Sequence, residues 1–286
     1  MRKNANAEQE KGNTAVASKA NTAVGAAIDY TVDAGAGMEN TSTESFAIPF
    51  LAVLQSNSPQ CVEGDAKYIP EAKPGMLMNT VTNALYSGKE GALFVPSAYK
   101  RSFLLWGPRQ GEGGGFKGEH TAEQVAEMRA SKKLLEVEGR LYEPLADGTV
   151  NPKRCNRMAD TRLHYGILID EKTGEYGPVL FSLTSTQIKK SKQLMSALST
   201  VRVTLQDGRK IQPPTFANVV RITTVPESND QGNWFGVKLA LEGRVEDAGI
   251  YADAKAFHDN VLKGLATANY EAAAPEAGGE GRGEGF

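Results

Sequence analysis

A chain of 286 residues with 40% apolar side chains is long enough to bury a sizeable core in one large domain or two small ones. Its formal net charge of −2 excludes a strongly basic nucleic-acid footprint spread over the whole chain. The two cysteines, Cys61 and Cys155, lie far apart and in no CxxC pair, which excludes a disulfide framework and a zinc site.

No apolar run approaches the roughly 18 residues of a membrane span, and the N-terminus lacks the apolar stretch of a signal peptide. A soluble protein of the cytoplasm, without membrane contact, is expected. Residues 1–44 are rich in Ala, Asn, Thr and Ser and hold few large apolar groups, so they cannot bury enough surface to offset chain entropy. After about residue 269 the composition collapses to Ala, Gly, Glu and Pro. The expected organisation is therefore a disordered segment over 1–44, a folded domain over 45–269 and a flexible acidic tail over 270–286.

The first ordered stretch, FAIPFLAVLQSNSP (46–59), is apolar nearly throughout and reads as a buried extended or short helical piece. GMLMNTVTNALY (75–86) starts like a strand, and GALFVPSAYKRSFLLWGP (91–108) predicts one or two strands with a break at Pro96. GEGGGFKG (111–118) predicts a loop. Thr121 and Gln124 then form a capping-box pattern that opens a helix over 122–137. LHYGILID (163–170) and GPVLFSL (177–183) flank a turn containing Gly174 and form the clearest hairpin.

Thr184 and Gln187 repeat the capping-box signal before a helix with Ile188, Met195 and Leu198 on one face and Lys189, Lys190 and Lys192 over much of the rest. Strands are predicted at 216–227 and 234–246, and a last helix at 251–268 that packs Phe257, Val261 and Leu265. Many short strands interrupted by a few helices, without βαβ alternation, predict a mainly β (α+β) fold: a β-barrel with inserted helices.

Catalytic signals are missing. His120, His164 and His258 lie in different elements, none with a second ligand at metal spacing, and His164 alternates with apolar residues as a satisfied strand histidine would. The chain has no GxSxG turn, GEGGGF lacks the ending of a phosphate loop, and its acids are scattered rather than clustered for divalent metals. A non-enzymatic protein without cofactor or metal is expected.

Binding signals are stronger. Residues 89–210 carry 20 Lys and Arg against 14 Asp and Glu, so the neutral sum hides a basic middle. Single strands are held by a basic groove with aromatic faces on which bases stack. SAYKRSFLLWGPR interleaves Tyr99, Lys100, Arg101, Trp106 and Arg109 in this manner, and KRCNRMADTR adds Lys153, Arg154, Arg157 and Arg162 just before the strand that carries Tyr165. Lys189, Lys190 and Lys192 supply a further basic face. The last sixteen residues carry Glu271, Glu276, Glu280 and Glu284 against Arg282 alone, and end in Phe286. Such a tail can compete for a basic groove at high effective concentration, while its terminal ring and carboxylate suit a partner's apolar pocket beside a cation.

The ending GEGF resembles the acidic, Phe-terminated C-termini of bacterial and phage single-stranded DNA-binding proteins. Over about residues 46–200 the segments IPFLAVLQSNSPQ, PGMLMNTVT, FVPSAYKRSFLLWGP, GGGFKGEH and YGILIDEKTGEYGPVLFSLTSTQIKKSKQL resemble tailed-phage single-stranded DNA-binding replication proteins. The resemblance implies an OB-fold, a role in phage DNA replication, recombination and repair in the host cytoplasm, and contacts of the tail with a DNA polymerase or helicase-primase. Glu280, Glu284 and Phe286 would carry those contacts, and homo-oligomers are compatible with it. The tail departs from the pattern in being dilute in acid, free of aspartate and interrupted by Arg282. A virion structural or assembly protein is the alternative, since a chain without catalytic residues suits that role equally.

Overall fold

A computed structural model describes residues 36–37, 48–108, 113–229, 232–266, 268 and 270. The chain divides after Ser42 into two compact units. Of the first, only the turn at Ala36 and Gly37 is described, and every element named below belongs to the second. The expectations for residues 1–35 and for the tail 271–286 lie outside the described residues.

The second unit is mainly β, its principal sheet curled into a half-barrel. A small sheet comes first, with β1 (Leu51–Val53) paired with β2 (Leu77–Asn79), which pairs in turn with β3 (Leu85–Tyr86). The large sheet is antiparallel and is built on two long neighbours, β4 (Ala92–Trp106) and β8 (Arg157–Ile169). β9 (Tyr176–Thr184) pairs with β8, β5 (Phe116–His120) with β4, and the hairpin β6 (Leu135–Val137) and β7 (Arg140–Tyr142) extends β8 at its start. On the other side of β4 lie β12 (Asn218–Asn229) and β13 (Gly232–Arg244). A two-residue pair, β10 (Val203–Thr204) and β11 (Lys210–Ile211), stands apart.

Among the described residues, three α-helices cover the sheet. α1 (Ala122–Ala130) seats Val125 against Phe103, Leu105 and Met158, and α2 (Ile188–Thr200) seats Leu194 and Leu198 against Phe94, Leu168 and Phe181. The partners of both helices share one face of β4 and β8. α3 (Ala248–Leu262) packs Ala254 and Phe257 on the opposite face, against Val95, Tyr165 and Ile167.

Several boundaries differ from the sequence reading. Pro96 does not break β4: a bulge skips Ser97 between the pairs Pro96–Gly166 and Ala98–Tyr165, so the missing proline donor is absorbed. The strand can pass because Gly166 is bare, since a Cβ there would run into the Val95 carbonyl and the Phe94 ring. The expected loop at 111–118 ends early, because Phe116 pairs with Trp106 in β5.

The first helix keeps its capping box but stops at Ala130 instead of 137. Lys132 turns to φ 58°, and LEV-EG-RLY folds as a hairpin whose two turn residues, Glu138 and Gly139, both have positive φ, as a tight two-residue turn requires. Thr184 does not cap α2. A 3-10 turn, Ser185–Gln187, intervenes, and the Gln187 side chain is spent on the Val237 amide and on Glu227. α3 begins earlier than predicted, capped by Asp247, and ends before Gly264 at φ 73°, which leaves Leu265 48% exposed rather than packed. The basic stretch 157–162, expected before the strand, lies within β8.

Candidate nucleic-acid interface

Register decides which of the sequence candidates can act together. β4 and β8 pair Tyr99 with His164, Arg101 with Arg162, Phe103 with Asp160 and Trp106 with Arg157. Because side chains alternate between the faces of a sheet, Tyr99, Arg101 and Arg162 fall on the face of α1 and α2. Lys100, Trp106, Arg157 and Tyr165 fall on the face of α3. The candidates therefore occupy two opposite faces and cannot build one groove.

On the first face the cations are largely answered. Asp160 accepts from Arg101 Nη2 at 2.8 Å and Nε at 3.2 Å, and from Arg162 Nη2 at 3.1 Å. Arg101 also lies over the Phe103 ring, 4.9 Å from its centroid. Arg162 is 7% exposed, and its buried Nε has no hydrogen-bond partner among the described residues. Tyr99 is 40% exposed but leans on the His164 ring. His164 is a satisfied strand histidine, its Nε2 2.8 Å from Ser191 Oγ of α2. Burial, and then the Arg162 charge, push its pKa down to about 4.

The second face carries a groove of about 720 Å³. Its floor is the sheet, with Leu104, Trp106, Arg157, Ala159 and Thr161 of β4 and β8, and Ser182 and Thr184 of β9. Its far wall is the backbone from Phe50 to Gln55 and the loop that holds Gln60, Lys67 and Tyr68. Phe50 is anchored by a parallel bridge to Leu180, whose amide donates to the Pro49 carbonyl at 2.8 Å. Beyond that point the wall and β9 both line the groove. Tyr68 is 37% exposed and Lys67 is exposed beside it, so the wall contributes a second aromatic and a second cation opposite the paired Trp106 and Arg157.

A ring cluster connects two of the groove's residues, Trp106 and Phe50. Trp106 meets the edge of Phe116 with centroids 5.7 Å apart, Phe116 stacks on Tyr270 at 4.6 Å, and Tyr270 touches Phe50 at 5.8 Å. Tyr270, the last described residue, also donates to Glu119 Oε2 at 3.2 Å, and Glu119 accepts from Ser102 and pairs with Lys100. Burial raises the Glu119 pKa, but the hydrogen bonds from Lys100, Ser102 and Tyr270 outweigh it and hold the carboxyl below its usual range. Burial and the neighbouring Glu119 charge push the Tyr165 hydroxyl up to about 12.

Of the remaining candidates, Lys153, Arg154, Lys189 and Lys192 are exposed, and Lys190 lies 3.6 Å from Glu227. Tyr165 is buried against Phe257 and has no face open for stacking. Arg109, Glu280, Glu284 and Phe286 lie outside the described residues. The sequence reading missed Lys67 and Tyr68, whose only signal was an adjacent cation and ring between Gly64 and Pro70. Among the described residues no three His, Cys, Asp or Glu side chains gather into a metal-binding group, and no helix is long and apolar enough to cross a membrane.

A family model described as Pam3 phage gp34-like protein matches residues 17–267. The chain belongs to that family. The span matched by the Pam3 phage gp34-like family takes in every residue that lines the groove and ends before Tyr270 and the acidic tail. No curated protein and no solved structure matches the chain.

Proposed function

We propose that this member of the family is a non-enzymatic single-stranded DNA-binding protein with an OB-fold-like barrel. It coats and protects single strands in phage DNA replication, recombination and repair in the host cytoplasm. The observation that carries the reading is the groove: Trp106 and Arg157 stand side by side on its floor, and Tyr68 and Lys67 on its wall. Rings for base stacking beside cations for phosphate are what sequence-tolerant single-strand binding requires. Uncharged groups between them, Gln60 and Ser182, offer hydrogen bonds to base edges. The OB-fold-like reading is supported by the curled antiparallel sheet with long, bulged strands and by the parallel bridge that draws the segment before β1 onto β9.

The tail has a place in this reading. Tyr270, the last described residue, stacks on Phe116, which touches Trp106 of the groove. The acidic sequence of residues 271–286 competes with DNA, and Glu280, Glu284 and Phe286 become available to a polymerase or helicase-primase once DNA has displaced them.

The test is fluorescence anisotropy of a labelled oligo-dT with the full chain and with a version lacking residues 271–286, each across a salt series. Binding that weakens with salt and tightens on truncation is expected, because phosphate contacts release counterions. Absence of binding by both proteins at low salt, or a salt slope near zero, would refute the proposal.

A further inference from the structure

β13 ends the large sheet: β12 pairs with one of its edges, and no described strand pairs with the other. Such an edge is a row of main-chain donors and acceptors that invites another strand. The chain itself plugs the first half of it. Gln55 accepts from the Phe235 amide at 2.8 Å and donates to the Phe235 carbonyl at 2.9 Å, and Gln187 accepts from the Val237 amide at 3.0 Å. These three contacts identify which residues turn their main chain outward, and alternation turns Leu239 and Leu241 the same way.

The stretch that follows the plugs reads Lys238-Leu239-Ala240-Leu241-Glu242 and is self-complementary. Lys238, Ala240, Leu241 and Glu242 are exposed, Leu241 by 39%, and Leu239 is half-buried against the core under α2. Two copies of this strand laid antiparallel about a two-fold axis at Ala240 set Lys238 opposite the second copy's Glu242 and Leu239 opposite its Leu241. The outward groups of Leu239 and Leu241 then supply the ladder hydrogen bonds. The register shift opposite Val219 and Val220 leaves Glu242 without a β12 partner, so the regular edge is limited to this short stretch.

We infer that the protein forms a two-fold dimer by antiparallel pairing of β13 with β13 of a second copy, centred on Ala240. The interface is isologous, so each dimer holds two Lys238–Glu242 contacts. The pairing does not depend on the groove or on DNA.

The test is sedimentation velocity of the DNA-free full chain over a concentration series, with wild type, Lys238→Glu, Glu242→Lys and an equimolar mixture of the two variants. Wild type is expected to dimerise, and each reversal to weaken dimerisation roughly tenfold by setting like charges opposite each other at two places. The mixture is expected to recover association as a mixed dimer, because its two chains carry opposite charges at every facing position. Glu242 also pairs with Arg221 at 3.0 Å within the chain, so thermal unfolding accompanies that variant, and Lys238→Glu serves as the variant free of this contact. A wild type that stays monomeric, single variants that dimerise as well as wild type, or a mixture that stays monomeric would each overturn the inference.

Discussion

Replacing His164 with Gln should flatten the dependence of stability on acid. The histidine is 1% exposed and holds Ser191 of α2 at 2.8 Å, with burial first and the Arg162 charge second lowering its pKa from 6.5 to about 4. In the unfolded chain the imidazole takes up its proton near the ordinary value, while the folded protein refuses it until about pH 4. Between those limits the unfolded state binds more protons, so the contribution of this group is fully present above about pH 6.5 and is lost as pH falls. A shift of this size is worth about 3 kcal/mol once both limits are passed.

The assay is urea unfolding of wild type and His164→Gln at about pH 7.5 and about pH 4.5. The carboxylates that begin to titrate in this range are common to both proteins and cancel in the comparison. Gln can still bond Ser191 and does not titrate, so the variant is expected to lose about 1 kcal/mol at the upper pH through poorer packing. The advantage of wild type should then shrink by about 2 kcal/mol on acidification, and can reverse sign. An advantage that is unchanged with pH would refute the argument, because it would mean that folding does not alter the proton affinity of His164.

Three further outcomes follow from the groove and the packing. Trp106→Ala should weaken binding to oligo-dT by roughly 5- to 100-fold in the anisotropy assay, the loss of about one stacked base. Arg157→Gln should flatten the logarithmic salt dependence of that binding by about 0.7, the share of one phosphate on a single strand, with a smaller effect at high salt. Gly88→Ala should lower stability by about 1–3 kcal/mol in thermal or urea unfolding, because the new Cβ would meet the Gly75 carbonyl and the Thr224 hydroxyl, neither of which can move freely.

Local order was legible in the sequence. The hairpin about Gly174, the capping box at Thr121, the helix that carries Lys189 and Lys192, and the pair of strands at 216–227 and 234–246 all rest on contacts between near neighbours, and such signals survive out of context. Errors came where two local codes competed. Leu135 falls at helical spacing from Val125 and Met128 and also alternates with Val137 as in a strand, and the Glu138–Gly139 turn decided for the strand.

The candidate site was legible only as an inventory. Tyr99, Arg101, Trp106 and Arg157 are close in sequence or in paired strands, yet the bulge at Ser97 and the register of β4 on β8 send the first two to one face and the last two to the other. A shift of one residue would exchange them. Lys67 and Tyr68 reach the groove because Phe50 is anchored on β9, more than a hundred residues further along the chain. Composition and period are properties of a segment and determined its strands, helices and charges. Which side chains face one another depends on pairing between distant segments, and only the tertiary structure decides it.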